Sequence, residues 1–278
     1  MFLGKQGFFK GFKRLASSFV LTEQQGAVFS IQLNRPEVRN AINNETAIQL
    51  RQAFRQFEDD VDSRIAVLSG SSGTFSGGYD LKEVSKWDVK DVMEIFKAED
   101  GPMGPTREQF SKPVIAAISG YAVGGGLELA LLCDMRVVEE DAIMGFFNRR
   151  WGVPLVDGGT VRLGKLIGLS RALDLILTGR SVDATEALNF GLANRVVSKG
   201  TAYKEAFALA NQIASFPQLC LTEERESAYY AMFNACSLDD ALRFEKENSE
   251  DCLMEAIKGA GKFAAGAGRA GTFEDHNN

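Results

Sequence analysis

Histidine is nearly missing from this chain. The single one, His276, stands almost at the end of 278 residues. That excludes Ser-His-Asp and Cys-His catalysis, histidine-bound zinc and histidine proton shuttles, because no histidine is available to a folded core. Cysteine is also sparse. Cys133, Cys220, Cys236 and Cys252 form no C-x-x-C pair and lie in apolar or helical patterns, so buried thiols in a reducing compartment are expected, with no metal site. No apolar run reaches the ~18 residues needed to span a bilayer, so no transmembrane segment is expected. Clustered positive charge is short as well: 31 basic against 37 acidic side chains give a net charge of −6. Nucleic acid is therefore not an expected partner, since tracking phosphates requires the opposite balance. What remains for chemistry is carboxylates, backbone amides, hydroxyls or a bound group.

Acids are missing from the first 22 residues, where Lys5, Lys10, Lys13 and Arg14 accompany Phe8, Phe12, Leu15 and Phe19 at helical spacing. A basic amphipathic start of this kind reads as a mitochondrial transit segment over residues 1–18, with a cytoplasmic chain carrying an ordinary N-terminal helix as the alternative. The start lacks the apolar core of a secretory signal, so the Asn44-Glu45-Thr46 sequon is not expected to be glycosylated. His-Asn-Asn at the end is no peroxisomal Ser-Lys-Leu signal. Two glycine patterns mislead. Gly266-x-Gly268-x-x-Gly271 is followed by only seven residues, too few for a βαβ unit. Gly159 to Lys165 has P-loop spacing, but Leu166 stands where a hydroxyl must hold magnesium.

Apolar runs at 27–33, 65–69, 114–118 and 135–138 read as strands, and Glu45–Phe57 as a helix with Ile48, Leu50, Phe54 and Phe57 inward. The strand–helix–strand recurrence, at about 45 residues, indicates a layered α/β core over 19–200. Beyond it the pattern turns helical. Ser170–Leu177 ends at Gly179, Asp183 with Glu186 forms a capping box closed by Gly191, and Tyr203–Phe216 stops at Pro217. Residues 201–260 read as a helical region packed on the core or on a neighbouring subunit, and 261–278 as a flexible Gly-rich tail.

The sharpest local feature is Ser119-Gly-Tyr-Ala-Val-Gly-Gly-Gly-Leu-Glu128. Three glycines run directly into a helix, so unpaired N–H groups point outward and no Cβ keeps a ligand away. Gly125 and Glu128 share a helix face, which brings an amide donor and a carboxylate over one centre. Tight Gly packing beside a solvated Glu is the plain alternative. A second element, Phe75-Ser-Gly-Gly-Tyr-Asp-Leu-Lys-Glu83, offers further amides around Gly78 and Tyr79. Its Asp80 and Glu83 also suit a helix start.

In these two loops, and in Leu33–Ile42, Lys112–Leu129, Leu177–Gly179 and Gly191-Leu192, the chain resembles the crotonase superfamily of enoyl-CoA hydratases and isomerases. The resemblance implies an α/β spiral of repeated ββα units with a helical C-terminal trimerisation region, assembled as a homotrimer or homohexamer. It implies an acyl-CoA thioester as substrate and no separate cofactor, coenzyme A being part of that substrate. The thioester oxygen would lie between the backbone N–H groups of Tyr79 and Gly125, with Gly78, Tyr79, Asp80, Leu81, Lys82 and Gly125 along the substrate. Glu128 matches the first catalytic glutamate of the hydratases. The second falls on Asn148, and an amide carries no proton of useful pKa. Asp157 is the nearest replacement acid. It also fits an N-cap for the helix expected from Gly158, and that is the preferred reading. Arg149, Arg150 and Trp151 suit recognition of a carboxylate or aromatic acyl group, or a structural contact. Hydration of a 2-enoyl-CoA leads by analogy. Double-bond isomerisation, decarboxylation and a catalytically weak acyl-CoA-binding protein stay open; RNA binding would need a local basic patch.

Overall fold

The structure, a computed structural model, describes residues 18–97 and 101–268. Apart from Ser18, the expected transit segment lies outside the described residues. The chain enters through β1 (Val20–Gln25), turns at Gly26 and returns antiparallel as β2 (Val28–Leu33). Helix α1 (Asn44–Asp59) follows, started by Asn43, whose side chain accepts from Thr46 N. It leads into β3 (Ile65–Gly70), then the short α2 (Leu81–Val84) and α3 (Val89–Lys97). Next come β4 (Val114–Ile118), β5 (Tyr121–Val123), α4 (Gly125–Leu132), β6 (Met135–Glu139) and β7 (Ile143–Gly145). After α5 (Gly159–Ile167) and α6 (Leu169–Thr178) come β8 (Val182–Asp183), α7 (Ala184–Phe190), β9 (Arg195–Val197) and α8 (Ala202–Ala214). Three helices complete the described chain: α9 (Gln218–Phe233), α10 (Leu238–Asn248) and α11 (Leu253–Ala264).

The large sheet runs β1-β2-β3-β4-β6-β9, parallel from β2 onward. Its central strands are buried on both faces, as near-continuous apolar runs such as Val114–Ile118 require. Alternation along them separates two cores. Ala66, Leu68, Ala116 and Ile118 join Leu50, Phe54 and Phe57 of α1, whereas Ile65, Val67, Ile115 and Ala117 meet Ala206 and Ala210 of α8. Strands β5, β7 and β8 form a smaller second layer. Two successive turns, β4-β5-α4 and β6-β7-α5, thus place one long strand in the large sheet, a short one in the inner layer, and then a helix. This is the ββα spiral, and it aims the start of α4 into the space beside the inner layer.

Several expectations are corrected here. Ile48 is 41% exposed; it lies outside the inward face made by Leu50, Ala53, Phe54 and Phe57. Cys133 and Cys252 are buried, but Cys236 is exposed and Cys220 half-buried. Helix α11 runs through Gly259 and Gly261 to Ala264, so the helical region passes the expected boundary at 260. Beyond α8, the helical region meets the core through Arg225, which donates to Asp134 Oδ1 at 2.8 Å and Phe110 O at 2.7 Å, and through Tyr229 OH to Asp134 Oδ1 at 2.9 Å.

Candidate active site

The two glycine-rich loops meet through the inner layer. Ser76 N donates to Tyr121 O, and Val123 N returns the bond to Ser76 O. One turn further on, Ile42 N donates to Gly78 O and Asp80 N to Ile42 O. That alternation turns the intervening Tyr79 N–H away from its neighbour strand. Among the described residues it finds no acceptor, and neither does Gly125 N–H in the first turn of α4. The approach depends on Gly78: at φ +89° a Cβ would lie 2.7 Å from Val123 O and 3.1 Å from Gly125 N. No L side chain fits that position without moving the donors apart.

Both residues line a cavity of about 470 Å³, together with Glu128 and Asp157. Much of the remaining wall is apolar, including Leu81, Val84, Trp87, Met103, Phe147, Trp151 and Val153. The Tyr79 ring meets Trp87 edge-on at 5.4 Å. Burial raises the Tyr79 phenol well above its usual range, with Glu83 adding to the effect, so it stays a neutral wall. Of the residues expected along the substrate, Tyr79, Leu81 and Gly125 line this cavity. Gly78 is outside the lining and packs closely on Val123 and Gly125. Asp80 instead caps α2 and pairs with Arg35 at 3.3 Å, and exposed Lys82 lies outside the lining.

Glu128 is 2% exposed. Its Oε1 accepts from Asp157 N at 3.0 Å and Gly159 N at 2.8 Å. The second donor is an otherwise unpaired amide at the start of α5, where the helix dipole favours a carboxylate. Burial nonetheless dominates. It pushes the Glu128 carboxyl up to about 7, assisted by the Asp157 charge and opposed by the two amides and Arg162. A carboxyl balanced near neutrality can both take and return a proton. Gly159 is required for the contact, since a Cβ there would lie 2.8 Å from Glu128 Cγ and 2.9 Å from Oε1.

Asp157 does not cap the following helix. The N-cap is Gly158, without a side-chain bond. The Asp157 carboxylate turns instead toward 103–106, accepting from Met103 N at 3.0 Å and from Thr106 Oγ1. Burial raises its pKa, against the pull of Thr106, Met103, Arg107 and Arg162. Arg162 ties the same corner together, donating to Asp157 O at 3.0 Å and Thr106 O at 2.7 Å. Met103 in turn fills the space against Gly125, where its Sδ would lie 2.7 Å from a Cβ. Asp157 therefore braces the floor beneath Gly125 as well as facing the cavity.

Asn148 lines the same cavity, its Nδ2 donating to Val153 O at 2.7 Å. The residues after it diverge. Arg149 donates to Ile176 O at 3.2 Å, Arg150 stacks over the Phe147 ring at 4.5 Å, and only Trp151 reaches the cavity, at its exposed rim. Sequence reasoning missed Met103, Thr106, Arg107 and Arg162. Met103, Thr106 and Arg107 stand in no motif and enter the site through long-range packing, whereas Arg162 lies inside the rejected P-loop pattern Gly159–Lys165. Gly159 had a signal, but as the start of a rejected P-loop.

Among the described residues, no cluster of His, Cys, Asp or Glu could hold a metal ion, and no helix is long and apolar enough to cross a membrane. The profile of the family described as Enoyl-CoA hydratase/isomerase matches residues 23–264. A probable enoyl-CoA hydratase of Rhizobium meliloti (strain 1021) is 36% identical over 256 residues, covering 92% of this chain and 97% of the relative. A probable mitochondrial enoyl-CoA hydratase of Dictyostelium discoideum is 34% identical over 84% of this chain and 82% of its own length. In structure, an enoyl-CoA hydratase from Bacillus anthracis superposes with a TM-score of 0.82 at 30% identity, over 89% of this chain and 96% of that one. With the ββα spiral, the paired glycine loops and a carboxylate at their junction, the chain belongs to the enoyl-CoA hydratase/isomerase family.

Proposed function

We propose that this protein hydrates a 2-enoyl-CoA, or runs the reverse dehydration, with Glu128 as its sole acid/base. The observation that carries this reading is Glu128 itself: buried, poised near neutrality, and on the same cavity as two unspent amides. The thioester oxygen accepts from Tyr79 N–H and Gly125 N–H. As a water oxygen bonds to C3, the Glu128 carboxylate takes one of its protons and the C2=C3 pair moves toward the thioester oxygen. The amides stabilise that enolate, each such donor being worth about 3 kcal/mol. Glu128 then returns the proton to C2 and is a carboxylate again. No separate cofactor and no metal enters this cycle, and coenzyme A arrives as part of the substrate.

The test is loss of the enoyl-thioester absorbance of crotonyl-CoA, for wild type and Glu128→Gln. Turnover abolished by Gln supports a one-glutamate hydratase. Binding without turnover removes hydration of this short substrate from first place. Double-bond isomerisation is the second reading, favoured by Asp157, a buried carboxyl with raised pKa on the same cavity. Decarboxylation passes through the same enolate and belongs in the same screen. A chain that binds thioesters but turns none over is a binding protein.

The working assembly in this reading is a homotrimer or homohexamer. Support comes from Leu169, Leu173 and Leu177 along α6 and Leu253, Met254 and Ile257 on α11, all exposed in the single chain. Light scattering on the purified protein decides this, and a monomer would overturn it. Mitochondrial placement draws on the basic start of the sequence and on the printed name of the Dictyostelium relative. Import of a residue 1–18 fusion into isolated mitochondria tests it, and a fusion left outside would favour the cytoplasm.

A further inference from the structure

Asn148 Oδ1 is buried and has no hydrogen-bond partner among the described residues. A buried carbonyl oxygen left unpaired is costly, so such an atom on a residue that lines the cavity points to a donor brought by a ligand. Its orientation is fixed. Nδ2 is spent on Val153 O, and exchanging the two ends of the amide would face one carbonyl oxygen with another. Oδ1 sits beside the other half of the site: a Cβ at Gly124, the residue before the free Gly125 amide, would lie 3.9 Å from it.

We propose that Asn148 Oδ1 accepts the hydroxyl proton that stays on the substrate, selecting acyl thioesters that carry a 3-hydroxyl. This rests on the acyl-thioester reading above and adds to it the fate of each proton. The attacking water has two. One goes to Glu128, which can keep it and pass it to C2. The other is held by Asn148, which accepts a hydrogen bond but cannot take the proton, so it remains on oxygen when the O–C3 bond forms. In the reverse direction the same contact binds the 3-hydroxyl before C–O cleavage. The two acceptors differ in basicity, and that difference decides which proton leaves.

The measurement compares titration of 3-hydroxybutyryl-CoA with that of butyryl-CoA, all in a Glu128→Gln background so that the hydroxyl ligand is not dehydrated. The parent should prefer the hydroxyl ligand roughly tenfold, the size of one well-made hydrogen bond. With Asn148→Ala that ratio should fall to near one while butyryl-CoA affinity holds. Asn148→Leu, closer in volume, should do the same and serves if the Ala chain folds poorly. A merely structural Asn148 would weaken both ligands together and leave the ratio standing. A parent ratio of one, or a ratio unchanged in both variants, overturns the assignment. If neither thioester binds, the acyl-thioester reading falls first and takes this one with it.

Discussion

Helices α4 and α5 begin alike and are used differently. Each starts behind a glycine with positive φ, Gly124 and Gly158, and neither has a side-chain cap. At α5 the free Gly159 amide is spent on Glu128. At α4 the free Gly125 amide faces the cavity without a partner. A helix start is a ready anion site, and here one holds the protein's own carboxylate while the other stays open, the donor that the proposed reaction gives to charge developing on a substrate. Side-chain caps would have satisfied both starts, leaving neither the Glu128 contact nor the open amide.

The largest effect should come from emptying the α5 site of its charge. Glu128→Gln keeps an oxygen for Gly159 and Asp157 but removes the proton carrier, so kcat should fall about 10³-fold. Its stability carries an independent sign. A carboxyl whose folded pKa lies above its unfolded value binds its proton more tightly in the folded state. From the ordinary 4.5 up to about 7, rising pH therefore removes stability, by up to about 3 kcal/mol in total. Glu128→Gln should gain on wild type across that window in denaturant titrations and run parallel to it above. A constant difference from pH 4 to 8 would mean that Glu128 titrates normally.

Next in size is Gly159→Ala, which leaves every catalytic group present. The added methyl meets Glu128 Cγ and Oε1 and displaces the carboxylate from the amide. A shift of that kind costs about 10²-fold in kcat, with about 1–3 kcal/mol of stability lost to overpacking. Crotonyl-CoA KM should change little, because the α4 site is untouched. A rise in KM with kcat intact would break the division of labour between the two helix starts.

Asp157→Asn follows. Its oxygen can still accept from Met103 N and Thr106, but the charge that adds to the effect of burial on Glu128 is gone. The midpoint of the kcat/KM profile, expected near pH 7 in wild type from the raised Glu128 carboxyl, should move to lower pH, with kcat down no more than about tenfold. A loss equal to that of Glu128→Gln would instead make Asp157 a second proton carrier and favour isomerisation.

The open start was legible in sequence because its parts are adjacent: three glycines, then Glu128 one helical turn on. The occupied start was not. Gly159 looked like part of a failed P-loop, and Asp157 looked like the ordinary cap of the next helix. Its actual contacts lie on Met103 and Thr106, more than fifty residues away, and local chemistry carries no trace of them. The same limit applies to the layers. Apolar runs of four to seven residues announced β2, β3, β4 and β6, but β5, β7 and β8 have two or three residues each and form only because the spiral brings them together. Asp80 shows the same limit from the other side. It sits in the motif, yet its ion-pair partner Arg35 lies forty-five residues earlier.

The smallest effect is expected at a third helix start, which serves as the control for the other two. At α1, Asn43 Oδ1 accepts from Thr46 N at 2.9 Å and Thr46 Oγ1 at 2.6 Å. Here the first-turn amide is satisfied by the chain itself, and nothing is left to bind a ligand. Asn43→Ala should therefore cost about 1 kcal/mol of stability, the usual worth of such a cap, with kcat and KM for crotonyl-CoA unchanged. Stability and activity separate at this start because its capping oxygen belongs to a residue outside the cavity. At α5 they are joined, because the capping oxygen belongs to Glu128. If Asn43→Ala lowered kcat as Gly159→Ala does, the effect at α5 would reflect general loosening of the fold, and the contrast between helix starts would lose its basis.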